Sequence, residues 1–127
     1  SKSMIEEAMA QARDAAVAVD FVRAQMPWLP LQDGAVSAVL MAGSLQLVDG
    51  LDTLMREVHR VLAPEGVWVA STFLPPTPLR PFHRALGLTA RAEEELRNAA
   101  ERAGLVRFER VRMAPVMVVR AERPKVR

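Results

Sequence analysis

The chain has 127 residues, of which 50% are hydrophobic and 25% charged, a globular composition that argues against intrinsic disorder and fits a single domain. It contains no cysteine, which excludes disulfides, thiolate nucleophiles and cysteine-based metal sites and fits a cytoplasmic location. The net charge of +2 gives little support to nucleic-acid binding, and no signal peptide or membrane-spanning apolar run is present, so we expect no membrane partner.

The first part of the chain predicts a helix followed by a strand. Ser3 and Glu6 have the spacing of a capping box, and apolar residues recur at helical spacing up to Ala16. Val17–Arg23 is rich in apolar and β-branched residues and predicts a strand. A loop with two prolines follows over Met26–Asp33.

The segment Leu29–Ser71 predicts a βαβ unit, around which the rest of the chain is organised. Its first strand, Ala35–Met41, is almost continuously apolar, which is typical of burial on both faces. Its helix is apolar at Leu51, Leu54, Met55, Val58, Val61 and Leu62, and polar on the opposite side at Arg56, Glu57, His59 and Arg60. The second strand is Val67–Phe73. Ligands bind at the carboxyl ends of parallel strands, so we expect a site in the loop MAGSLQLVDG.

The remaining elements cover this unit. The proline-rich segment Leu74–Leu88 predicts a short helix near Phe82–Leu86 and a lid over the site. Thr89 is expected to cap a helix whose buried face is formed by Leu96, Ala99, Ala100 and Ala103. Val106–Val111 and Val116–Ala121 predict an antiparallel hairpin at a sheet edge.

Several strings of the sequence occur in the order of a known family. Together they resemble the C-terminal two-thirds of a class I S-adenosylmethionine-dependent methyltransferase of the small-molecule, UbiE-like type. The strings are Ser1–Met4 (end of D-x-S-x-x-M), Asp20–Pro30 (strand and adenine loop), Ser44–Asp49 (L-H-H-V-x-D), Glu57–Gly66 (E-x-x-R-V-L-K-P-G-G), Glu94–Leu105 (E-E-L…L-x-x-A-G-F) and Ala121–Pro124 (A-x-K-P).

The resemblance implies an α/β fold with a Rossmann-like methyltransferase sheet, in the order 3-2-1-4-5-7-6. That sheet is mostly parallel and ends in an antiparallel hairpin. The implied activity is methyl transfer from S-adenosylmethionine to a small-molecule acceptor. The implied cofactor-binding residues are Gln25, Met26, Ala42, Gly43 and Gln46, and no metal site is expected.

Departures from the family pattern concern the cofactor. The glycine-rich loop after the first strand and the acidic residue that ends the second are both absent from this sequence. Gln25 stands where an aspartate usually meets the adenine amine, although an amide oxygen can also accept that bond. Ser37 replaces the aspartate of F-D-x-V, and Glu65 replaces the first glycine of P-G-G.

The N-terminal strands of the family sheet are therefore missing, and residues 1–127 form a single, incomplete domain. Without its central neighbour, Ala35–Met41 has an open edge, and each unpaired buried backbone group costs about 1–3 kcal/mol. We expect either an upstream part of about 40 to 60 residues, one strand–helix–strand unit, or partner copies in a homo-oligomer that completes the sheet. A rearranged small sheet is the third alternative.

Some candidate site residues have a structural interpretation beside the functional one. Met26 and Trp28 either pack on adenine or belong to the core, and Gly43 and Gln46 either contact the cofactor or form a plain turn. Asp49 and Asp52 fit helix capping better than metal binding.

The two histidines are also open to two interpretations. His83, in the predicted lid, is a candidate catalytic base or an ordinary surface residue. His59 fits a solvated or structural role.

Three functions are compatible with these observations. The first is a methyltransferase of which this chain is the larger part. The second is a catalytically silent methyltransferase-like module that acts in protein interaction, which the lost loop, Gln25 and Ser37 favour. The third, a nucleic-acid-binding domain, is disfavoured by the small net charge.

Overall fold

The computed structural model describes residues 1–43, 45, 49–73, 93–113 and 116–126. Within these ranges the chain forms three helices and four strands. In chain order they are α1 (Lys2–Asp14), β1 (Val36–Ala42), α2 (Leu51–Val61), β2 (Leu62–Phe73), α3 (Glu93–Arg102), β3 (Val106–Met113) and β4 (Val116–Glu122).

The described strands form one sheet in the order β1-β2-β4-β3. This is the 4-5-7-6 half of the sheet order that the family resemblance implies, so the α/β fold class is confirmed and the rearranged sheet is wrong. β1 and β2 are parallel and are connected through α2, as the βαβ prediction requires. β4 pairs antiparallel with both β2 and β3, which confirms the C-terminal hairpin. The mostly parallel sheet of the family is represented here by one parallel ladder.

The core lies between one face of this sheet and the helices α2 and α3. All six predicted apolar positions of α2 and its C-cap are buried, and the indole N–H of Trp68 donates to the Met41 sulfur at 3.4 Å. Alternate residues of β2 and β4 supply the sheet side of the core, as the two-residue period of strands requires. The largest fully buried hydrophobic side chains are Trp68, Leu45, Leu54, Met55, Leu62, Leu96, Met117, Val58, Val61 and Val119.

The N-terminal region differs from its prediction in two respects. Val17–Arg23 forms no strand, and its three valines are exposed. A strand requires a neighbouring edge for its hydrogen bonds, and β propensity alone does not supply one. The capping box at Ser3 is also wrong, because Ser1 is the N-cap of α1 and its hydroxyl accepts from the Met4 amide at 3.3 Å.

β1 is an edge strand with one exposed face. Within the described residues it pairs only with β2, which confirms the predicted open edge. The prediction of burial on both faces is wrong: Leu40 is 76% exposed, whereas Met41 on the other face is buried. Nothing in the described part of the chain packs over Leu40, so this face of β1 is exposed. An apolar strand of this kind is buried on both faces only where other elements cover both faces of the sheet.

Candidate cofactor-binding site

The carboxyl end of β1 is exposed in the described part of the chain. Ala42 and Gly43 are exposed there, directly after the buried Met41. The Gly43 amide donates to the Ser71 carbonyl at 3.1 Å, which continues the ladder between β1 and β2 by one bond. Gly43 has φ +69°, and a Cβ added to it would meet nothing within 4 Å. Glycine is therefore favoured by the left-handed backbone and not by crowding.

The loop that precedes β1 returns to the same edge of the sheet. Pro27 lies close to Gly50, the N-cap of α2. A Cβ placed on Gly50 would be 3.5 Å from Pro27 Cγ. Gly50 ends the loop that leaves β1, so the two loops meet there. Met26 is half-buried against the core. The start of the loop 25–34 thus lies near the open end of β1, and its later residues run along α2 toward the start of β1.

Two neighbouring residues of this loop face solvent. Gln25 is exposed, and its backbone carbonyl accepts from the Trp28 amide at 3.2 Å, which closes a tight turn. Trp28 is 64% exposed. The interpretation of Trp28 as a core residue is therefore wrong, while contact with a bound ligand stays a prediction.

One arginine of α2 holds the loop in place. Arg60 Nε donates to Glu57 Oε1 at 2.7 Å, and Nη2 donates to Glu57 Oε2 at 2.9 Å and to the Leu29 carbonyl at 3.0 Å. Nη1 donates to the Leu31 carbonyl at 2.7 Å and to Asp33 Oδ1 at 2.9 Å. A guanidinium has five N–H donors, and these five bonds use them all.

Glu57 completes this arrangement, which we call the Arg60 clamp (Arg60, Glu57 and the loop atoms that they bind). Its Oε2 accepts from the Leu29 amide at 2.9 Å, and its side chain is 13% exposed. The hydrogen bond from Arg60 lowers the pKa of Glu57, partial burial opposes this, and the Leu29 amide lowers it further. The same two carboxylates, Glu57 and Asp33, raise the pKa of Arg60. Glu57 and its partner are thus charged throughout the physiological range.

The clamp is the feature of the site that sequence reasoning missed. Periodicity placed Glu57 and Arg60 on the polar face of α2, which is correct, but a polar face usually contacts only water. The available signal was the E-x-x-R spacing within Glu57–Gly66, since an i,i+3 acid–base pair on one helix can share a third partner.

Other predicted site residues lie apart or outside the described ranges. Gln46, His83 and the predicted lid 74–88 lie outside them. Asp49 does not cap α2, because Gly50 is the N-cap and no side chain bonds the first turn. Asp52 pairs with Arg102 at 2.7 Å. Among the described residues no group of three or more His, Asp or Glu side chains could hold a metal.

His59 has a structural position on α2. A Cβ added to Gly104, the residue with φ +94° after α3, would lie 3.4 Å from His59 Nε2. Burial and, secondarily, the positive charge of Arg123 lower the pKa of His59. Arg123 Nη1 also donates to the carbonyls of His59 and Leu62, so this cation is fixed beside the imidazole. The structural interpretation of His59 is supported by these contacts with Gly104 and Arg123.

A cavity of about 260 Å³ lies at the opposite end of the sheet, between the start of β3 and the end of β4. Four of its charged side chains are paired with one another, Arg107 with Glu122 at 3.3 Å and Lys125 with Glu65 at 3.5 Å, and the fifth, Arg123, bonds backbone carbonyls. The cavity does not contact the carboxyl end of β1 and is not part of the candidate site.

The described residues suit one end of an adenosine cofactor. Met26 offers an apolar surface for a purine ring, the Gln25 amide can accept from an exocyclic amine, and Ala42 and Gly43 are exposed. None of these four residues carries a charge, so they fit the base better than a ribose or a carboxylate.

No helix in the described part of the chain is long and apolar enough to cross a membrane.

Comparison with known proteins gives a family match. The methyltransferase domain family matches residues 1–70. A chloroplastic methyltransferase of Arabidopsis thaliana, described as uncharacterized, is 33% identical over 114 residues, which cover 81% of this chain and 32% of that protein. The chain therefore spans about a third of the length of this curated relative.

Solved structures agree on the fold. A geranyl diphosphate C-methyltransferase from Streptomyces coelicolor, solved with S-adenosyl-L-homocysteine, is similar with a TM-score of 0.82 at 18% identity, over 95% of this chain and 61% of that one. A SAM-dependent methyltransferase from Aquifex aeolicus has a TM-score of 0.74 at 19% identity, over 96% of this chain and 64% of that one. At these identities the likeness extends to the fold alone.

Proposed function

Because the chain belongs to the class I S-adenosylmethionine-dependent methyltransferases, we propose that it takes part in methyl transfer from S-adenosylmethionine to a small-molecule acceptor. We further propose that it does so within a larger or oligomeric protein. Residues 1–127 then act as one incomplete domain, whose contribution is the part of the cofactor site that binds the adenine.

The observation that carries this proposal is the meeting of two loops at the carboxyl end of β1. Pro27 lies against Gly50, and the Arg60 clamp fixes the chain a few residues further on. We propose that Gln25, Met26, Ala42, Gly43 and Gln46 contact the cofactor around this point. In open parallel sheets this edge is the ordinary place for a ligand.

Each residue has a distinct task in this proposal. Bound S-adenosylmethionine supplies a methyl group activated by a sulfonium. Met26 packs on the purine, and the Gln25 amide oxygen accepts from its amine. Backbone carbonyls at the end of β1 face the positive charge. Alignment and exclusion of water then supply most of the rate, as in other transfers whose chemistry belongs to the cofactor.

The acceptor side of the site is assigned to the lid segment 74–88. In the proposal this segment walls the acceptor pocket, and His83 is the candidate base toward an acceptor hydroxyl or amine, since histidine is the side chain most often used as a general base. Replacement of His83 by Gln should lower turnover and leave cofactor affinity unchanged. Loss of cofactor binding in this variant would contradict the assignment.

Calorimetric titration of S-adenosylhomocysteine tests the cofactor site. The variant Gln25→Ala should raise the dissociation constant about three- to tenfold, the value of one hydrogen bond. Gln32 is an exposed glutamine of the same loop and provides the matched control, Gln32→Ala. Absence of binding to the unaltered chain up to millimolar ligand would contradict cofactor binding by this chain alone.

The second candidate is a catalytically silent methyltransferase-like module that acts in protein interaction. Exposed apolar side chains favour it, since Leu40 of β1 is 76% and Met4 of α1 is 72% exposed. Patches of this kind mark interaction sites when they are contiguous. Sedimentation of the chain without ligand would support this candidate if it shows self-association while the titration shows no binding.

Oligomeric state and location complete the proposal. A homo-oligomer would supply the strand that β1 lacks, and a longer chain would supply it in cis. We propose a cytoplasmic location because the sequence lacks cysteine. The similar plant protein is described as chloroplastic, so imaging of the tagged full-length protein decides between these compartments.

A further inference from the structure

We propose that Arg60 and Glu57 are positioning residues of the cofactor site, which set the affinity and base selectivity for the adenine through the loop 25–34. This inference rests on the proposed function, because it assigns the loop to the adenine. Neither residue touches the ligand in this proposal. Both act through Leu29, Leu31 and Asp33.

Arg60 uses all five N–H donors of its guanidinium group. Three of them bond the loop and two bond Glu57. An arginine that only increased solubility would direct some of its N–H donors to water. An exposed ion pair on a helix would also contribute little to the free energy of folding. The side chain of Arg60 is 32% exposed. Its planar guanidinium group bonds two backbone carbonyls and two carboxylates. Such geometry fixes backbone positions, which a flexible lysine cannot do.

The second argument is the spacing of the contacts along the loop. Leu29 is bound on both of its backbone groups, the amide by Glu57 and the carbonyl by Arg60. Gly34, at the other end, donates to the Arg60 carbonyl at 2.8 Å. These contacts tie residues 29–34 of the loop to the last turns of α2.

The third argument is the short path from Leu29 to the proposed ligand contacts. The Trp28 amide bonds the Gln25 carbonyl, and Pro27 lies on Gly50. A shift of Leu29 should therefore also move Gln25 and Met26, because a hydrogen-bonded turn connects these residues to it. Hydrogen bonds to a base lose strength steeply with small changes of distance and angle, so the position of Gln25 should be the sensitive variable.

A second arginine provides the matched control. Arg102 on α3 bonds Asp52 of α2 through Nε and Nη2, at 3.1 and 2.7 Å. Its side chain is 60% exposed, and both of these bonds go to Asp52 and not to the loop. Arg102→Lys therefore changes an arginine on the same packed helix pair without changing the clamp.

The test compares two ligands that differ at the base. S-adenosylhomocysteine carries an amine where S-inosylhomocysteine carries a carbonyl, so their ratio of affinities reports how well an acceptor faces that position. In Arg60→Lys we expect the dissociation constant for S-adenosylhomocysteine to rise about tenfold, and the ratio between the two ligands to fall toward one. In Arg102→Lys both values should stay within about twofold of the unaltered chain.

A second variant and a second measurement guard against misfolding. Glu57→Gln keeps an acceptor for the Leu29 amide but removes the charge that orients Arg60, and its affinity should lie between those of Arg60→Lys and the unaltered chain. Hydrogen exchange of a peptide that covers residues 26–34 should accelerate in Arg60→Lys and not in Arg102→Lys.

The outcomes separate this inference from the proposed function. If the unaltered chain binds and Arg60→Lys binds with the same affinity and selectivity, the inference is overturned and the proposed function stands. If the unaltered chain does not bind, cofactor binding by this chain fails and the assignment of the clamp to adenine fails with it. Unchanged hydrogen exchange in Arg60→Lys would overturn the role of the clamp in holding the loop.

Discussion

The two ends of the chain have similar apolar content in sequence but differ completely in burial. No residue of α1 is buried and the valines of 17–23 are exposed, whereas alternate residues of β4 are buried against α2 and α3. Both regions show good periodicity. β4 lies between two other strands, while residues 17–23 pair with none of the strands in the described part of the chain. The apolar pattern of the sequence therefore indicates which face of a helix or strand can be buried. Whether that face is buried depends on a neighbouring element that packs against it.

The two tryptophans give the largest expected contrast. Trp68 is fully buried and Trp28 is 64% exposed. Trp68→Ala should lower the free energy of unfolding by about 3–5 kcal/mol, because it removes a large side chain and leaves a cavity. Trp28→Ala should change it by about 0.5 kcal/mol or less. Urea denaturation measures both, and equal losses would contradict the division of the molecule into a packed and an open region.

Two glycines test backbone packing at the base of β2. A Cβ at Gly66 would lie 2.7 Å from the Ala63 carbonyl oxygen, which cannot move freely, so Gly66→Ala should cost about 1–3 kcal/mol. At Gly34 the added Cβ meets nothing within 4 Å, and only the positive φ of +64° opposes it. Gly34→Ala should cost about 1 kcal/mol. A larger loss at Gly34 than at Gly66 in denaturation midpoints would reverse this order.

Acidification tests the packed region through His59. Burial and the charge of Arg123 lower the pKa of the folded-state imidazole from 6.5, so the unfolded chain binds the proton more tightly. The free energy of unfolding should be constant above pH 6.5 and decrease as the pH falls below it. The lowered pKa of Glu57 acts only below its ordinary 4.5, so the windows are separate. In His59→Gln the decline between pH 6.5 and 5.5 should disappear, as followed by urea midpoints.

Thr72 is the exception within the packed region. It is 1% exposed, and in the described part of the chain its hydroxyl has no hydrogen-bond partner. Thr72→Val keeps the shape and removes an unsatisfied polar atom, so stability should be unchanged or rise by about 1 kcal/mol. Thr53, whose hydroxyl accepts from Arg56 at 3.2 Å, is the control, and Thr53→Val should lower stability slightly. A clear loss in Thr72→Val would indicate a bound partner for the hydroxyl.

The smallest effect is expected in the open N-terminal region. Val22 is 64% exposed and Val58 is fully buried. Val22→Ala should change the free energy of unfolding by about 0.5 kcal/mol or less, and Val58→Ala should lower it by about 2 kcal/mol. Thermal and urea unfolding of the pair measure the contrast. A large loss in Val22→Ala would indicate that residues 17–23 are packed in solution, against the structure.

Much of the fold could be predicted from the sequence because its signals are local. The apolar positions of α2 repeat over three turns, and the two strands of the hairpin flank a proline, so their faces follow from geometry alone. The N-cap of α1 and the interpretation of Asp49 went wrong because capping depends on which residue leaves the helical conformation first. Several residues near a helix start satisfy that rule equally well.

The candidate site was predicted only in outline. Its place at the end of β1 follows from a general property of parallel sheets, but the Arg60 clamp joins residues 29 and 60, and no periodicity reports a contact over that separation. Glu65 is a further feature that the side-chain pattern did not predict. Its φ of +66° lies in the left-handed region that favours glycine, the residue that the family pattern has at this position.

The central place of β4 also has a consequence for biosynthesis. Among the described strands β4 comes last in chain order, yet it joins β2 to β3, which has no other partner in the described sheet. A nascent chain can pair β1 with β2 as soon as β2 has emerged, but β3 must wait until residues 116–122 have left the ribosome. Until then one side of β2 is an unprotected edge of the kind that recruits other chains. A stop codon before Val116 should therefore produce aggregates, whereas the same codon after Arg123 should not.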